Sequence, residues 1–236
     1  MSIKGLFPIE QWTFGRESIL SSLPEEDMKK LLARKIEYSY SKGELIFKED
    51  EYPSGVYFII RGMVKKYKVD QDGFEQILYI AGPGELLGYH AIVSRSNYMD
   101  YASALESSTV ALIPKDDFLS VLDGSKKFAQ RLLEAMSHEF SVMANTLTTY
   151  SRKNARERLA LQLVVLREKY KAGTEPGEPV VINLGREDLA SLVGTARENV
   201  IRMLTEMKEE NIVETKRRKI IIKDIKRLIE LSNYRF

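Results

Sequence analysis

Seven apolar residues spaced alternately by four and three positions constrain the fold of this 236-residue chain most strongly. Heptad spacing keeps a narrow apolar seam on one side of a helix, which is typical of a helix that pairs with another helix. We therefore predict a dimerisation helix over residues 126–150 and a homodimer. A helix packed only on its own domain would need a broader stripe, to which Leu132, Val142 and Ala144 could contribute. The predicted seam consists of Ala129, Leu133, Met136, Phe140, Met143, Leu147 and Tyr150.

The segment before this helix is rich in short β-type runs separated by turn residues. Such a density of short strands predicts an antiparallel barrel or sandwich. Residues 70–73 (DQDG) lie between two of these runs, so they predict a hairpin in which Gly73 adopts a positive φ. The predicted strands are Ile36–Tyr40, Leu45–Phe47, Val56–Arg61, Met63–Val69, Phe74–Ile80 and Thr109–Ile113.

Composition excludes several kinds of chemistry. The chain has no cysteine, which excludes disulfides and a cysteine-ligated zinc site or iron–sulfur cluster. It has no apolar run near the roughly 20 residues of a membrane span, and its N-terminus lacks signal-peptide order. We therefore expect a cytoplasmic protein without a membrane partner.

Charge is distributed unevenly along the chain. Residues 1–150 hold 17 Lys/Arg and 21 Asp/Glu, whereas residues 151–236 hold 19 and 13, a net charge of +6. A basic C-terminal part attached to an acidic body is an electrostatic pattern that fits nucleic acid.

The segment 186–211 has the spacing of a helix-turn-helix. Ala190 is small enough for two helices to cross, Gly194 can take the turn conformation, and Val200 faces the crossing. In the second helix, Val200, Met203, Leu204 and Met207 form an inward side. The outward side carries Arg197, Glu198, Ile201, Arg202 and Thr205.

Arg197, Glu198 and Arg202 are the residue types that read base edges in the major groove of double-stranded DNA. Arginine binds guanine in a fork, and glutamate accepts a hydrogen bond from cytosine. Two structural alternatives exist for Glu198: a capping box with Thr195, and a surface ion pair with Arg202.

Residues 212–215 and 220–223 read as strands around a run of four cations. This pattern predicts a hairpin wing whose cations bind phosphates. The predicted DNA-backbone contacts are Thr195, Lys216, Arg217, Arg218 and Lys219.

Residues 151–154 interrupt the helical spacing and predict a hinge before the DNA-binding domain.

Over about residues 30–225 the sequence resembles the cyclic-AMP receptor / fumarate–nitrate regulator (CRP/FNR) family of bacterial transcription regulators. The motifs that carry the resemblance are KGE at 42–44, RG at 61–62, GPGELLG at 82–88, RLA at 158–160 and GTARENVIR at 194–202.

The resemblance implies an α+β architecture and sequence-specific promoter binding without enzymatic activity. The predicted domains are an effector-sensing barrel of the cyclic-nucleotide-binding jelly-roll type over 1–125, the dimerisation helix over 126–150 and a winged helix-turn-helix over 151–236. RNA polymerase is an implied partner.

Arg197, Glu198 and Arg202 match the trio with which the cyclic-AMP branch reads a half-site containing GTGA. In the fumarate–nitrate branch a serine corresponds to Ile201.

The cyclic-nucleotide cassette of the family is not matched. Tyr89 replaces the glutamate that binds ribose, and ungapped alignment places Met99, Asp100 and Tyr101 where an Arg-Ser/Thr-Ala run holds the phosphate. Asp100 would repel that phosphate, so we expect an effector other than cyclic AMP or cyclic GMP. Arg95 could replace the missing arginine only if the loop shifted by four residues.

The effector itself stays open, as a small organic molecule or none at all. Haem is an alternative, with His90 or His138 as the axial ligand. A cupin-like enzyme is a remote alternative, because two histidines do not supply the metal ligands that such a site needs; we expect no metal site. A largely apolar effector pocket is predicted from Tyr89, His90, Tyr98, Tyr101, Phe140 and Met143.

Overall fold

The computed structural model describes residues 3, 5–14, 18–21, 23–175 and 177–234. By packing, the chain forms two units. One is Phe14–Phe140, and the other comprises the described residues of Met1–Thr13 and Ser141–Phe236. Within these described ranges, no helix is long and apolar enough to cross a membrane.

The first unit contains antiparallel strands arranged in two sheets, and it includes all six strands predicted from the sequence. The strands are β1 Ile36–Tyr40, β2 Leu45–Phe47, β3 Gly55–Arg61, β4 Val64–Val69, β5 Glu75–Ala81, β6 Leu86–Leu87, β7 Tyr101–Ala104 and β8 Ser108–Pro114. Their orders are β1-β8-β3-β6 and β2-β7-β4-β5. Among the described residues the two ladders are not joined to each other, so the strands form a two-sheet jelly roll rather than one closed barrel.

The predicted hairpin between β4 and β5 is confirmed. Gly73 has φ +83°, and its N–H donates to the Asp70 carbonyl at 3.1 Å. Two strands were not predicted. Strand β6 is too short to show a pattern, and β7 (YASA) is composed mainly of small residues, which carry a weak strand signal.

Aromatic side chains fill the space between the two sheets. The Phe47 ring stacks on Tyr98 at 4.2 Å and on Tyr57 at 5.5 Å, measured between ring centroids. Phe14, which precedes the first sheet in the chain, stacks on Tyr79 at 4.2 Å. This core is built from planar groups in close contact.

Helices cover the jelly roll and bury a second apolar cluster, which contains Tyr89, Phe118 and Phe128. These helices are α1 Glu25–Leu32, α2 Tyr89–Ser94 and α3 Lys115–Gly124. Helix α2 begins after Gly88, which has φ +80°. A Cβ atom there would lie 2.9 Å from Tyr98 Cε1, so both backbone conformation and space require glycine.

The predicted long helix is confirmed as α4, Lys126–Arg152. Phe128, Leu132 and Val142 are buried along one side of it. Its end coincides with the predicted interruption of the apolar spacing. Asn154 then starts the next helix with a capping box, in which its side chain accepts from the Glu157 N–H and the Glu157 carboxylate accepts from the Asn154 N–H.

The second unit is a winged helical domain. Its elements are α5 Ala155–Lys171, β9 Val181–Asn183, α6 Arg186–Val193, α7 Arg197–Glu209, β10 Val213–Lys216, β11 Lys219–Ile222 and α8 Ile225–Leu231. Its sheet has the order β10-β11-β9. A short 3-10 helix, Ile9–Gln11, also belongs to this unit, where the rings of Phe7 and Trp12 pack on Tyr234 at 5.1 and 5.7 Å.

Candidate nucleic-acid interface and effector region

The turn between α6 and α7 has the predicted geometry. Gly194 adopts φ +68°, and the N–H groups of Gly194 and Thr195 both donate to the Ala190 carbonyl, at 2.8 and 3.1 Å. Such paired bonds at a left-handed residue end a helix sharply. The next helix can therefore begin at Arg197, with only three residues between it and the end of α6.

Arg158 of α5 fixes this turn from the inside of the domain. Its guanidinium donates to the carbonyls of Val193 at 2.8 Å, Gly194 at 2.9 Å and Lys153 at 2.8 Å. The Tyr150 ring lies 5.3 Å from the guanidinium carbon, and the Tyr150 hydroxyl donates to the Leu192 carbonyl. The last turn of α4 and the start of α5 thus both hold the end of α6.

Sequence reasoning assigned no positioning role to Arg158 and placed Tyr150 in the dimer seam. Within its unit Tyr150 is half-buried against the helix-turn-helix. In the sequence, Arg158 stands out only as part of the RLA motif. That motif does not reveal the contact with Gly194, which lies 36 residues later.

Helix α7 has the two predicted sides. Val200, Met203, Leu204 and Met207 are buried. The side chains of Arg197, Glu198, Ile201, Arg202 and Thr205 are exposed. The apolar side anchors the helix to its domain, so the opposite side is free to enter a groove.

The two arginines among the candidate base-reading residues form only weak ion pairs. Arg197 Nε lies 3.5 Å from Glu187 Oε2, and Arg202 Nη1 lies 3.5 Å from Glu206 Oε1. Exposed ion pairs of this kind are weak, with energies of about 0–1 kcal/mol, so DNA could replace them at little cost.

Neither structural alternative for Glu198 is formed. The residue that precedes α7 is Ala196, without a side-chain cap, so the capping box with Thr195 is contradicted. The Thr195 hydroxyl instead accepts a hydrogen bond from the Asn199 amide at 3.2 Å. Arg202 pairs with Glu206 and donates to Asn199 Oδ1 at 3.3 Å.

The predicted wing is formed by β10 and β11, with Lys216 opposite Lys219 and Arg217 in a left-handed conformation at the tip. Lys216, Arg217 and Lys219 are exposed. Arg218 is half-buried, and its Nε and Nη2 atoms have no hydrogen-bond partner among the described residues. Its carbonyl accepts from Arg186 Nη1 at 3.4 Å, and burial lowers the pKa of Arg186.

Along α4, four residues of the predicted seam are exposed in the single chain: Leu133, Phe140, Met143 and Leu147. The exposed fractions of Leu133, Phe140 and Leu147 are 66%, 76% and 74%. Ala129 is half-buried, and Met136 packs against the second apolar cluster of its own unit. Four of the seven predicted seam residues are therefore exposed, and the other three are half-buried within the chain.

In the first unit, α2 is joined to α4 by Glu139. The buried Tyr89 hydroxyl donates to Glu139 Oε1, and His90 Nε2 lies 2.9 Å from Glu139 Oε2. Burial, and next the Glu139 carboxylate, raise the pKa of Tyr89, so the phenol stays a proton donor over the physiological range. A haem iron would have to displace Glu139 in order to bind His90 Nε2.

The other predicted effector residues lie in different surroundings. Tyr98 is buried between the sheets and donates to the Gly55 carbonyl at 3.0 Å, whereas Tyr101 stacks on Tyr67 at 5.3 Å. Tyr89 belongs to the second apolar cluster instead. Phe140 and Met143 are exposed on α4.

The Asp100 carboxylate, which we expected to repel a phosphate, has a cationic partner. Lys66 Nζ of β4 lies 2.9 Å from Asp100 Oδ2, and 8% and 14% of the two side chains are exposed. The same ammonium lies 5.5 Å from the Tyr79 ring centroid. The sequence analysis did not foresee this ion pair, because strand pairing is what brings Lys66 beside Asp100.

A winged helix-turn-helix with exposed arginines on its second helix, in a chain that also forms a β jelly roll, is typical of a DNA-binding regulator. Comparison with known proteins agrees. A family model described as a cyclic nucleotide-binding domain matches residues 37–125, and one described as a Crp-like helix-turn-helix domain matches residues 157–231.

Full-length relatives support the same classification. The chain is 30% identical over 191 residues to the anaerobic regulatory protein of Pasteurella multocida, covering 81% of this chain and 70% of the relative. It is 30% identical over 192 residues to the fumarate and nitrate reduction regulatory protein of Yersinia pestis, covering 81% and 76%. A crystal structure of a putative CRP/FNR-family transcriptional regulator from Eubacterium rectale superposes with a TM-score of 0.71 at 22% identity, over 92% of this chain and 98% of that one.

The chain belongs to the CRP/FNR family, and it is a DNA-binding transcription regulator. Its relatives are regulators and not enzymes, so the cupin-like alternative is dropped.

Proposed function

We propose that this regulator binds a two-fold symmetric promoter site as a homodimer and responds to a small effector other than cyclic AMP or cyclic GMP. The observation that carries the DNA part is the division of α7. Its four inward apolar residues are buried, while Arg197, Glu198 and Arg202 face solvent and the two arginines have only weak ion pairs. Arginine and glutamate on a groove-facing helix can distinguish bases by hydrogen bonding.

In this proposal the wing supplies affinity without reading sequence. Lys216, Arg217 and Lys219 are exposed cations at one hairpin, and Thr195 lies at the start of α7. Contacts of such groups with phosphates fix the position of the protein on the duplex and make binding depend on salt. Arg218 is half-buried, and its carbonyl accepts a hydrogen bond from Arg186, so it contributes less to this surface than the three exposed cations.

The homodimer rests on the apolar side of α4. Three large apolar side chains more than half exposed on one helix are costly in water, and a second copy of the same helix would cover them. Two α7 helices related by a two-fold axis would then enter successive major grooves of one duplex face, about one helical turn apart.

The effector part rests on two side-chain contacts in the jelly-roll unit. Tyr89 occupies the ribose position with its hydroxyl bound to Glu139, and the Lys66–Asp100 pair already neutralises the charge near the phosphate position. A cyclic phosphate would have to compete with Asp100 for Lys66. The aromatic side chains of this unit could stack on a largely apolar or planar molecule if the effector displaced part of their present packing.

Selection of duplexes from a randomised library tests the proposed function. The full-length protein is expected to enrich a palindromic motif with half-sites about one helical turn apart. Failure to enrich any sequence over the starting library, with a folded dimer in hand, would overturn the proposal.

A further inference from the structure

Helix α7 carries one large apolar side chain that its own domain does not use. Ile201 is 41% exposed, whereas Val200, Met203, Leu204 and Met207 on the same helix are all buried. The anchoring of α7 is therefore complete without Ile201. Its position on the outward side is not explained by packing within the domain.

Ile201 lies among the candidate base-reading residues. It follows Arg197 by four residues and Glu198 by three, which places these side chains on neighbouring positions of one helical face. Thr205, which lies one turn further along the outward side, donates its hydroxyl to the Ile201 carbonyl at 3.0 Å. Ile201 is thus the purely apolar element of a surface otherwise made of charged and polar groups.

The chemistry of the side chain identifies what it can recognise. A branched alkyl group neither donates nor accepts hydrogen bonds, and the apolar feature of base edges in the major groove is the C5 methyl of thymine. An isoleucine in a helix also has one strongly preferred χ1 rotamer, so the position of its methyl groups is largely fixed before binding.

We propose that Ile201 is a specificity-determining residue that packs against one thymine methyl in each half-site. This inference rests on the proposed function, since it requires α7 to enter the major groove. It adds an apolar contact to the hydrogen bonds assigned to Arg197, Glu198 and Arg202. The contact requires a thymine, rather than any pyrimidine, at one fixed position.

The experiment removes the methyl group from DNA and the alkyl group from the protein in turn. Each thymine of the duplex selected by the wild-type protein is replaced by uracil, which keeps every hydrogen-bonding atom. Affinity is measured for wild type, Ile201→Ala and the control Thr205→Ala. Because Ile201 is exposed, its variants should fold; Ile201→Val provides a milder change, and circular dichroism verifies each protein.

Wild type should lose about three- to five-fold in affinity per half-site at one thymine and almost none at the others, as expected for one buried methyl group. Ile201→Ala should bind the thymine and uracil duplexes equally, Ile201→Val should show a reduced difference, and Thr205→Ala should behave as wild type. A flat uracil scan, or unchanged methyl sensitivity in Ile201→Ala, would overturn the role of Ile201 while leaving the proposed function intact. Absence of any selected sequence would overturn both.

Discussion

The Lys66 ammonium lies 2.9 Å from the Asp100 carboxylate, and the two groups form an almost fully buried ion pair within the jelly roll. Strands β4 and β7 are paired with Lys66 opposite Ala102, which brings the residue before β7 next to Lys66. The pair also lies where the family resemblance places the contacts to a cyclic phosphate. Its presence bears on both the stability of the domain and the identity of the effector.

Removal of one member of this pair should destabilise the protein strongly. Lys66→Met or Asp100→Asn alone leaves a buried charge without a partner, and each should lower the free energy of unfolding by about 3–5 kcal/mol. The double variant should recover a large part of that loss. Denaturant unfolding measures all three. If the losses of unfolding free energy in the two single variants simply add in the double variant, the two side chains do not interact.

Cyclic AMP and cyclic GMP should not regulate this protein. Asp100 competes with any phosphate for Lys66, and the Tyr89 hydroxyl is already bound to Glu139. We expect no heat of binding at micromolar nucleotide in titration calorimetry and unchanged DNA affinity. A micromolar dissociation constant accompanied by tighter DNA binding would contradict this prediction and direct attention to Arg95.

Arg158 should matter for DNA binding although it lies outside the reading surface. Arg158→Met removes donors from the carbonyls of Lys153, Val193 and Gly194, and should cost about 1–3 kcal/mol of stability. It should also weaken DNA binding, because the turn that orients α7 is less restrained.

The matched control is Arg156→Met, which removes another arginine of α5 and its ion pairs with Glu206 and Glu210. These pairs are partly exposed and should contribute less than about 1 kcal/mol each. Thermal unfolding and DNA titration of both variants give the comparison. An equal effect of the two substitutions on DNA affinity would argue against a special role for Arg158.

Dimerisation should depend on the exposed side of α4. The double variant Phe140→Glu/Leu147→Glu places charges in the middle of the proposed interface and should sediment as a monomer. Phe74→Glu is the control, since Phe74 is an equally exposed aromatic residue near the β4–β5 hairpin and outside α4. Dimers that persist in the double variant would place the interface elsewhere.

Local patterns were enough to predict the long helix, six strands of the jelly roll and the two sides of α7, because each is encoded by neighbouring residues. Strand β6 and the small-residue strand β7 were missed because they carry little pattern. The contacts of Lys66 with Asp100 and of Arg158 with the turn join residues 34 and about 35 positions apart. Such pairs depend on strand register and helix crossing, which a single sequence does not display.

The start of α7 shows a further difference between local signal and structure. The T-A-R-E sequence at residues 195–198 matches a capping box, yet the helix begins one residue later than that motif requires. The turn is formed by the left-handed Gly194 and by hydrogen bonds from the N–H groups of Gly194 and Thr195 to the Ala190 carbonyl. Thr195 therefore belongs to the turn and does not cap α7. Glu198 is consequently free to face outward, as the base-reading hypothesis needs.

The most direct test of base reading by α7 compares Arg202→Ala with Arg217→Ala, because both substitutions remove one exposed arginine. Affinities for the selected duplex, its single-base variants and an unrelated duplex are measured over a range of salt concentrations. Arg202→Ala should cost about 1–3 kcal/mol on the selected duplex and relax specificity at one base position. Arg217→Ala should weaken binding to all duplexes alike and reduce the salt slope by about 1. Uniform weakening by Arg202→Ala, with specificity intact at every position, would contradict the account.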